Sequence, residues 1–427
     1  MLIGHIKGEI GEANPIRGPF IVPGTEGKRL VSNSSRNSFT FCPRSFELAN
    51  VVGLRKNLPP LPLSVGSMIH DAIKSYYLGQ PLSDLLKFVD QWEGETIDGL
   101  RAQTEPDFSE EKVEAIATIA RYVIPAYVEK YGATDLLDWE VLAVEAPFVV
   151  PLVQTLKDGS VRVDPIYAYT GKFDLVVRNR ESGLVFVVDH KTTVMTNLDA
   201  FQRDAERMGA GQRIGYVYAA RYFWGKKEVA GLVYNVLRKK APAKPGTVTC
   251  KTCSGQGSVE GETCAPGASF AVYAGGKNKG QPKATCNGTG IGGLSKTLPD
   301  STALNYRQDI DALLALNPGI DTTQVEEHFQ VLRQRGDRFL YRFSTPVSDE
   351  EVRVWYEDVY EVAHGMGRAM TAGRWWRNLS ACDVNGRRCG FAYVCPTSSW
   401  DGNDNFKIID SDPFAPYEAK EDEGEED

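Results

Sequence analysis

The chain of 427 residues is 42% hydrophobic and 24% charged, long enough for two or three domains and ordinary for a soluble globular protein. No run approaches the roughly eighteen apolar residues of a membrane span and the first residues hold no apolar leader core, so a membrane partner is excluded and a cytoplasmic location is expected. The net charge of −8 looks unfavourable for a nucleic-acid enzyme, but seven acids and one lysine in the last ten residues account for −6 and leave −2 for the other 417.

Residues 1–30, rich in Gly and Pro, read as irregular. Helices follow through residues 40–135. In "LSVGSMIHDAIKSYY" (63–77), Val65, Met68, Ile69, Ala72, Ile73 and Tyr76 recur at helical spacing, with Gly66 permitting close backbone approach and His70 one turn later. "SEEKVEAIATIARYVIPAYVEKY" predicts a second helix with Ser109 as its N-cap. A mixed sheet is expected from about 139 to 237. It begins with "VLAVEAPFVV", which carries Glu145, and closes with "AGLVYNVLRKK".

Within that sheet "YTGKFDLVV" (169–177) and "VFVVDHKTT" (185–193) read as an antiparallel hairpin with residues 178–183 as its loop. The first half of the second strand is apolar enough to be covered on both faces, yet it ends in Asp189, His190 and Lys191. Charge is costly there unless paired or bound to a metal. Alternation puts Asp189 and Lys191 on one face and His190 on the other. A register pairing Phe173 with Val188 sets Asp174 diagonal to Asp189. Two carboxylates and an ammonium at one strand end form an oxygen-rich site for a hard divalent cation, with a positive charge close by for an anionic substrate. The helix "GQRIGYVYAARYFWG" (211–225) then places Gln212 and Tyr216 one turn apart.

The order Gly-x-x-x-His on an early helix, Gly-x-x-Asp on a strand, Asp-x-Lys on the next and Gln-x-x-x-Tyr on a helix resembles the RecB-type branch of the PD-(D/E)XK nucleases, over roughly residues 40–240. Phe173 replaces the nominal proline before Asp174. Glu145 sits where that branch often has an acid. The resemblance implies a restriction-endonuclease-like α/β fold with a central mixed sheet. It implies Mg²⁺ or Mn²⁺ held by Asp174, Asp189, His70 and the carbonyl of His190. Lys191 would act on the attacking water or the phosphate, and Gln212 and Tyr216 would position the lysine or the DNA backbone.

The eight cysteines form two sets. Cys250, Cys253, Cys264 and Cys286 lie in a segment rich in Gly, Lys and Thr that cannot build a core of its own, and Cys-x-x-Cys followed by two more cysteines is a tetrahedral Zn²⁺ pattern. "CKTCSGQG" and "CNGTG" are similar to the DnaJ-type zinc ribbon, with Lys283 where the second copy's first cysteine belongs and Cys264 expected to supply the missing ligand. Cys42, Cys382, Cys389 and Cys395 bracket the core. This resembles the iron–sulfur staple of AddB-type helicase-nucleases and CRISPR-adaptation exonucleases, although six residues rather than two separate Cys382 from Cys389. Four thiolates suit a [4Fe–4S] cluster as well as zinc.

After the insertion, helices return in "STALNYRQDIDALLAL", "TTQVEEHFQVLRQR" and "SDEEVRVWYEDVYEVAHGM". The clusters "LRKKAPAKPG", "LRQRGDRFLYR" and "GRWWRN" read as solvated helix faces, or as phosphate contacts with Trp375 and Trp376 as a stacking platform. The expected parts are a helical 1–135, a nuclease core 136–245, a zinc-ribbon insertion 246–295, a helical 296–400 and an acidic tail 401–427. That tail reads as disordered and solubilising, the alternative being a DNA mimic. There is no P-loop, so any helicase must be a separate partner. The expected function is metal-dependent exonucleolytic cleavage of single strands or duplex ends, in recombination, repair or phage DNA processing. The alternative is a non-catalytic DNA-binding or assembly module.

Overall fold

The computed structural model describes residues 19–56, 61–101, 109–195, 197–207, 210–265, 288–316, 322–334, 339–384, 387–396 and 406–409, with single residues between 266 and 287. Cys286 and the acidic residues 410–427 lie outside the described residues, whereas 406–408, expected to belong to a disordered tail, form a strand.

Seven strands share one mixed sheet: β1 (Phe20–Ile21), β2 (Arg29–Ser32), β3 (Trp139–Thr155), β4 (Val161–Asn179), β5 (Val185–Thr193), β6 (Val229–Arg238) and β7 (Leu340–Pro346). They lie in the order β1-β3-β4-β5-β6-β7, with β2 beside β4. Pairing is antiparallel for β3-β4, β4-β5 and β6-β7, and parallel for β1-β3, β2-β4 and β5-β6. The parallel β5-β6 pair needs a crossover, and helices α6 and α7 supply it. The helices of six or more residues are α1 (Asn33–Phe41), α2 (Leu61–Tyr77), α3 (Leu82–Arg101), α4 (Glu110–Tyr127), α5 (Ala133–Asp138), α6 (Leu198–Arg207), α7 (Ala210–Trp224), α8 (Ala303–Leu316), α9 (Val325–Gln334) and α10 (Asp349–Ala372).

The sheet is buried on both faces, which explains why β5 and β6 are near-continuous apolar runs. On one face Val65, Met68, Ile69, Ala72 and Ile73 of α2, with α3 and α4, pack on Val144, Leu175, Val177, Val188 and Val233. On the other, α7 and α10 pack on Ala143, Val176, Val187, Leu232 and Val236. Burying each Ile or Val side chain contributes about 1.5–3 kcal/mol. The long helix α10 starts at Ser348, whose side chain accepts from the Glu351 N–H while Glu351 reaches back, and stops at Gly373 with φ 61°. Ser109 does precede α4, but its side chain makes no capping hydrogen bond.

Three expectations are corrected. The hairpin register is Leu175 opposite Val188 and Val177 opposite Phe186, two residues from the expected one. The cause is the turn: β4 continues to Asn179, whose N–H donates to the carbonyl of Leu184, so residues 180–184 form the loop. Because the slip is by two, every side chain keeps its face. The sheet also gains β7, where Leu340 and Phe343 are buried inside a stretch that reads as a basic helix surface. Residues before 30 contribute β1, and Arg29 begins β2.

The insertion is closed at its base by an antiparallel ladder of Thr247–Thr249 with Ile291–Leu294. Near the C-terminal end, Phe406–Ile408 pairs antiparallel with Leu54–Lys56.

Candidate active site

The regular alternation of side chains breaks at one place on the sheet. Val144 and Leu175 face the α2 side, whereas their strand neighbours two positions on, Ala146 and Phe173, face the α7 side. Between them stand Glu145 and Asp174. Glu145 has a left-handed φ of 47°, a strained conformation for a residue with a side chain. The strand thereby turns both carboxylates into one cleft.

His70, Glu145 and Asp174 each offer a ligand atom within 4.8 Å of the other two. His70 Nδ1 lies 3.7 Å from Asp174 Oδ2. The helix carrying His70 can approach because of Gly66, where a Cβ would stand 3.2 Å from Thr192 Oγ1. Asp174 Oδ2 accepts the backbone N–H of His190 at 2.9 Å. Asp189, 1% exposed, faces the Lys191 ammonium at 2.8–3.0 Å. Its Oδ2 is within ion-pair distance but accepts no well-directed hydrogen bond, so a lone pair remains for a cation. Lys172 pairs with Glu145.

Burial pushes the Asp174 and Asp189 carboxyls up to about 6. Lys191 opposes the rise, while Glu145 adds to it at Asp174 and Asp174 adds to it at Asp189. Burial holds His70 below its ordinary range despite the nearby acids, so its imidazole is neutral and able to ligate. Burial works against the charge of Lys191, but Asp189 and Asp174 outweigh it and raise its pKa. Acids crowded in a half-buried cleft beside a neutral imidazole disfavour their own ionisation, and a divalent cation is the partner that relieves this. The donor set therefore fits Mg²⁺ or Mn²⁺.

On the sheet face opposite His190, Lys191 Nζ donates to Gln212 Oε1 at 2.9 Å, and Gln212 Nε2 donates to Tyr216 OH at 2.9 Å. The hydroxyl hydrogen of Tyr216 is thus left for another acceptor. Burial, with Asp174 and Asp189 beside it, keeps that phenol well above its usual pKa.

The sequence profile of the PD-(D/E)XK nuclease superfamily matches residues 30–396. The chain belongs to the PD-(D/E)XK nuclease superfamily. No curated protein sequence matches it. Members of this superfamily are usually metal-dependent nucleases, so the activity class is a nuclease, the partner DNA and the usual cofactor a divalent metal. The helix-flanked mixed sheet is the restriction-endonuclease-like fold. No described helix is long and apolar enough to cross a membrane.

Of the residues singled out in this PD-(D/E)XK chain, His70, Asp174, Asp189, Lys191, Gln212 and Tyr216 converge. The His190 side chain points to the other face of the sheet, buried beside Tyr77 and Tyr127 and edge-on to the His70 ring. Glu145, which sits where the RecB-type branch often has an acid, stands with His70 and Asp174, their ligand atoms within 4.8 Å of one another. Lys172 was not anticipated, although it sits in the same Gly-Lys-Phe-Asp run as Asp174.

The first cysteine set is also brought together. Cys250, Cys253 and Cys264 are buried with their sulfurs within 4.8 Å of one another, Cys250 and Cys264 being 4.0 Å apart. Four thiolates on one tetrahedral zinc stand about 3.8 Å apart, from bonds of about 2.3 Å. The two glycine pairs of the repeat pack reciprocally. A Cβ on Gly257 would stand 2.1 Å from the Gly288 carbonyl, and one on Gly290 would stand 2.2 Å from that of Gly255, all four having positive φ.

The second set is looser. Cys42 Sγ accepts from the Asn378 N–H at 3.5 Å, Cys382 Sγ lies 4.0 Å from the Asn378 carbonyl, and Cys389 N–H donates to the Cys382 carbonyl at 2.8 Å. Burial pushes the Cys395 thiol up, with Arg44 and Arg377 opposing and Cys42 adding to the rise. Among the described residues no three of these sulfurs come within 4.8 Å of one another. Val394 and Phe391 nonetheless pack on Leu48 and Leu54, so the two ends of the nuclease region are in contact. Trp375 packs into the core beside Phe39 and Phe46, and Trp376 is exposed.

Proposed function

We propose that the protein is a metal-dependent deoxyribonuclease that works as an exonuclease on single strands or duplex ends, in recombination, repair or phage DNA processing. The observation that carries the chemistry is the convergence of His70, Glu145 and Asp174, with Asp189 alongside paired to a lysine that Gln212 holds. Exonucleolytic action and the pathway rest on the RecB-type order of motifs, and any helicase or recombination partner is a separate chain.

His70, Glu145, Asp174, Asp189 and the His190 carbonyl would hold Mg²⁺ or Mn²⁺, which when bound lowers the pKa of water and neutralises charge on the phosphate. The remaining work falls to the chain. Lys191 has three N–H donors, of which Asp189 and Gln212 take two, leaving one for the attacking water or a non-bridging phosphate oxygen. Gln212 fixes that ammonium so that no reorganisation is needed as charge develops. The Tyr216 hydroxyl has its hydrogen available for the DNA backbone. In the hydrolysis the water loses a proton as its oxygen joins phosphorus, the O3′–P bond breaks, and the leaving oxygen takes up a proton, so that in net one proton passes from the water to the leaving group.

Zn²⁺ would be bound by Cys250, Cys253, Cys264 and Cys286 as a structural ion of the insertion. Cys42, Cys382, Cys389 and Cys395 would hold a [4Fe–4S] cluster, because sulfurs that do not converge on one point are the poorer fit to a single ion. In this reading the chain divides at 135, 245, 295 and 400.

End-labelled single- and double-stranded DNA incubated with anaerobically purified protein and Mg²⁺ or Mn²⁺ tests the activity. Stepwise shortening from an end is expected. Binding without cleavage under every metal would favour the non-catalytic module, against which the intact acid pair and Lys191 already argue.

A further inference from the structure

Behind the cleft lies a closed ring of polar side chains drawn from five elements, buried except for the half-buried Arg342. Arg342 of β7 donates from both terminal nitrogens to Asp135 of α5, at 2.6 and 2.8 Å. Tyr77 OH donates to Asp135 Oδ2 at 2.5 Å and lies 2.8 Å from Tyr127 OH. Asn235 Nδ2 donates to Tyr127 OH at 2.9 Å, and Arg342 Nε donates to Asn235 Oδ1 at 2.5 Å. The guanidinium is stacked over Tyr131 and Trp139, 3.9 and 4.7 Å from the ring centroids.

The direction of every bond in this ring is determined. Guanidinium has donors only, and a carboxylate facing it only accepts. Tyr77 therefore gives its hydrogen to Asp135, Tyr127 gives its own to Tyr77, and Tyr127 accepts from Asn235. Arg342 Nε fixes which end of the Asn235 amide is oxygen. The amide's second N–H is then aimed at His190 Nδ1, 3.3 Å away. His190, Asn235 and Arg342 are direct cross-strand neighbours on β5, β6 and β7. A nitrogen facing a donor must accept, so a neutral His190 carries its hydrogen on Nε2.

His190 in turn touches two of the residues assigned to the cation. Its backbone N–H holds Asp174 Oδ2, and its ring meets the His70 ring edge-on at 5.8 Å between centroids. We propose that the Asp135–Arg342–Asn235–Tyr127–Tyr77 ring is a positioning device for the cation site. It locks His190 as the Nε2–H tautomer and through it sets the orientation of Asp174 and His70. Asn235 and Arg342 are positioning residues in this scheme, and they touch neither substrate nor metal. The inference rests on the reading of His70, Glu145 and Asp174 as the cation site.

The test uses the full chain labelled with [¹⁵N]histidine, the His190 signals being identified by their loss in His190→Asn. The wild type is expected to show Nδ1 without hydrogen and Nε2 with it. Asn235→Asp keeps the size and the Arg342 contact but replaces the donor by an acceptor, so His190 should switch to Nδ1–H. Asn235→Leu removes the donor without adding charge, and Mn²⁺ affinity, read by electron paramagnetic resonance of free ion, should weaken about tenfold, as for other residues that orient metal ligands. Should Asn235→Leu not fold, Asn235→Asp still decides the tautomer. An Nδ1–H tautomer in the wild type, an unchanged tautomer in Asn235→Asp, or wild-type Mn²⁺ affinity in a folded Asn235→Leu would overturn the inference. A wild type that binds no Mn²⁺ would instead overturn the cation-site reading itself.

Discussion

Replacing Lys191 by methionine keeps most of the side chain's length and removes the ammonium, with its charge and its N–H donors to Asp189 and Gln212. Asp189 is then left 1% exposed without the ammonium that stood 2.8–3.0 Å from its two oxygens. Breaking a buried ion pair by removing one partner costs about 3–5 kcal/mol. The carboxyl can reduce that cost by keeping its proton. Lys191 lowers the Asp189 pKa, so its loss raises a value already pushed up to about 6. The sign follows from linkage. A carboxyl whose folded pKa lies above its unfolded value of about 3.9 destabilises the fold when ionised, and the deficit closes as pH falls through the folded pKa. Lys191→Met should therefore be less stable than wild type by about 3 kcal/mol at pH 8 and by less than about 1 kcal/mol near pH 5.5. Urea unfolding of both proteins in EDTA at the two pH values measures this. At pH 8 with Mn²⁺, single-turnover cleavage of end-labelled DNA should fall by about 10²–10³-fold, the usual loss for a charge-stabilising donor. Equal stability deficits at both pH values would refute the electrostatic account, and wild-type turnover would remove Lys191 from the chemistry.

His70→Ala should narrow the advantage of Mn²⁺ over Mg²⁺ in cleavage rate, because the imidazole is the one nitrogen donor in an oxygen set and Mn²⁺ accepts it more readily. An unaltered rate ratio would make His70 a structural residue. Cys253→Ser should lose one equivalent of zinc by elemental analysis and open the insertion to protease while the melting temperature of the core holds, and a matching global loss of stability would contradict this. Ile69→Ala should cost about 2–5 kcal/mol in urea unfolding, since its fully buried side chain packs α2 against the sheet.

The α2 face and β5 were legible in the sequence because their signals are local. Val65, Met68, Ile69, Ala72 and Ile73 announce a helix face within nine residues, and Val185–Val188 announce a strand covered twice. Gln212 and Tyr216 lie one turn apart on a helix whose existence needs no tertiary knowledge. What stayed hidden depends on distant pairing. The partner of β7 is β6, about a hundred residues earlier, and its Arg342 looks like surface charge until Asp135 and Asn235 are placed beside it. Glu145 adopts a backbone conformation that no residue type there advertises. A mid-strand asparagine in "LVYNVLR" was the single local clue to the polar ring.

The position of β7 also orders the protein's birth on the ribosome. β6 is finished at Arg238, yet its outer neighbour begins at Leu340, after the insertion and two helices have been made. Until then the edge of β6 is open, and Arg342 has not arrived to orient Asn235. A nascent chain can thus hold His70, Glu145, Asp174, Asp189 and Lys191 while the rank of residues behind them is incomplete. Contacts this far apart in sequence form slowly. With the ring as a positioning device, cleavage competence would come late in synthesis, and the interval leaves an exposed strand edge as the place where a stalled or truncated chain would aggregate.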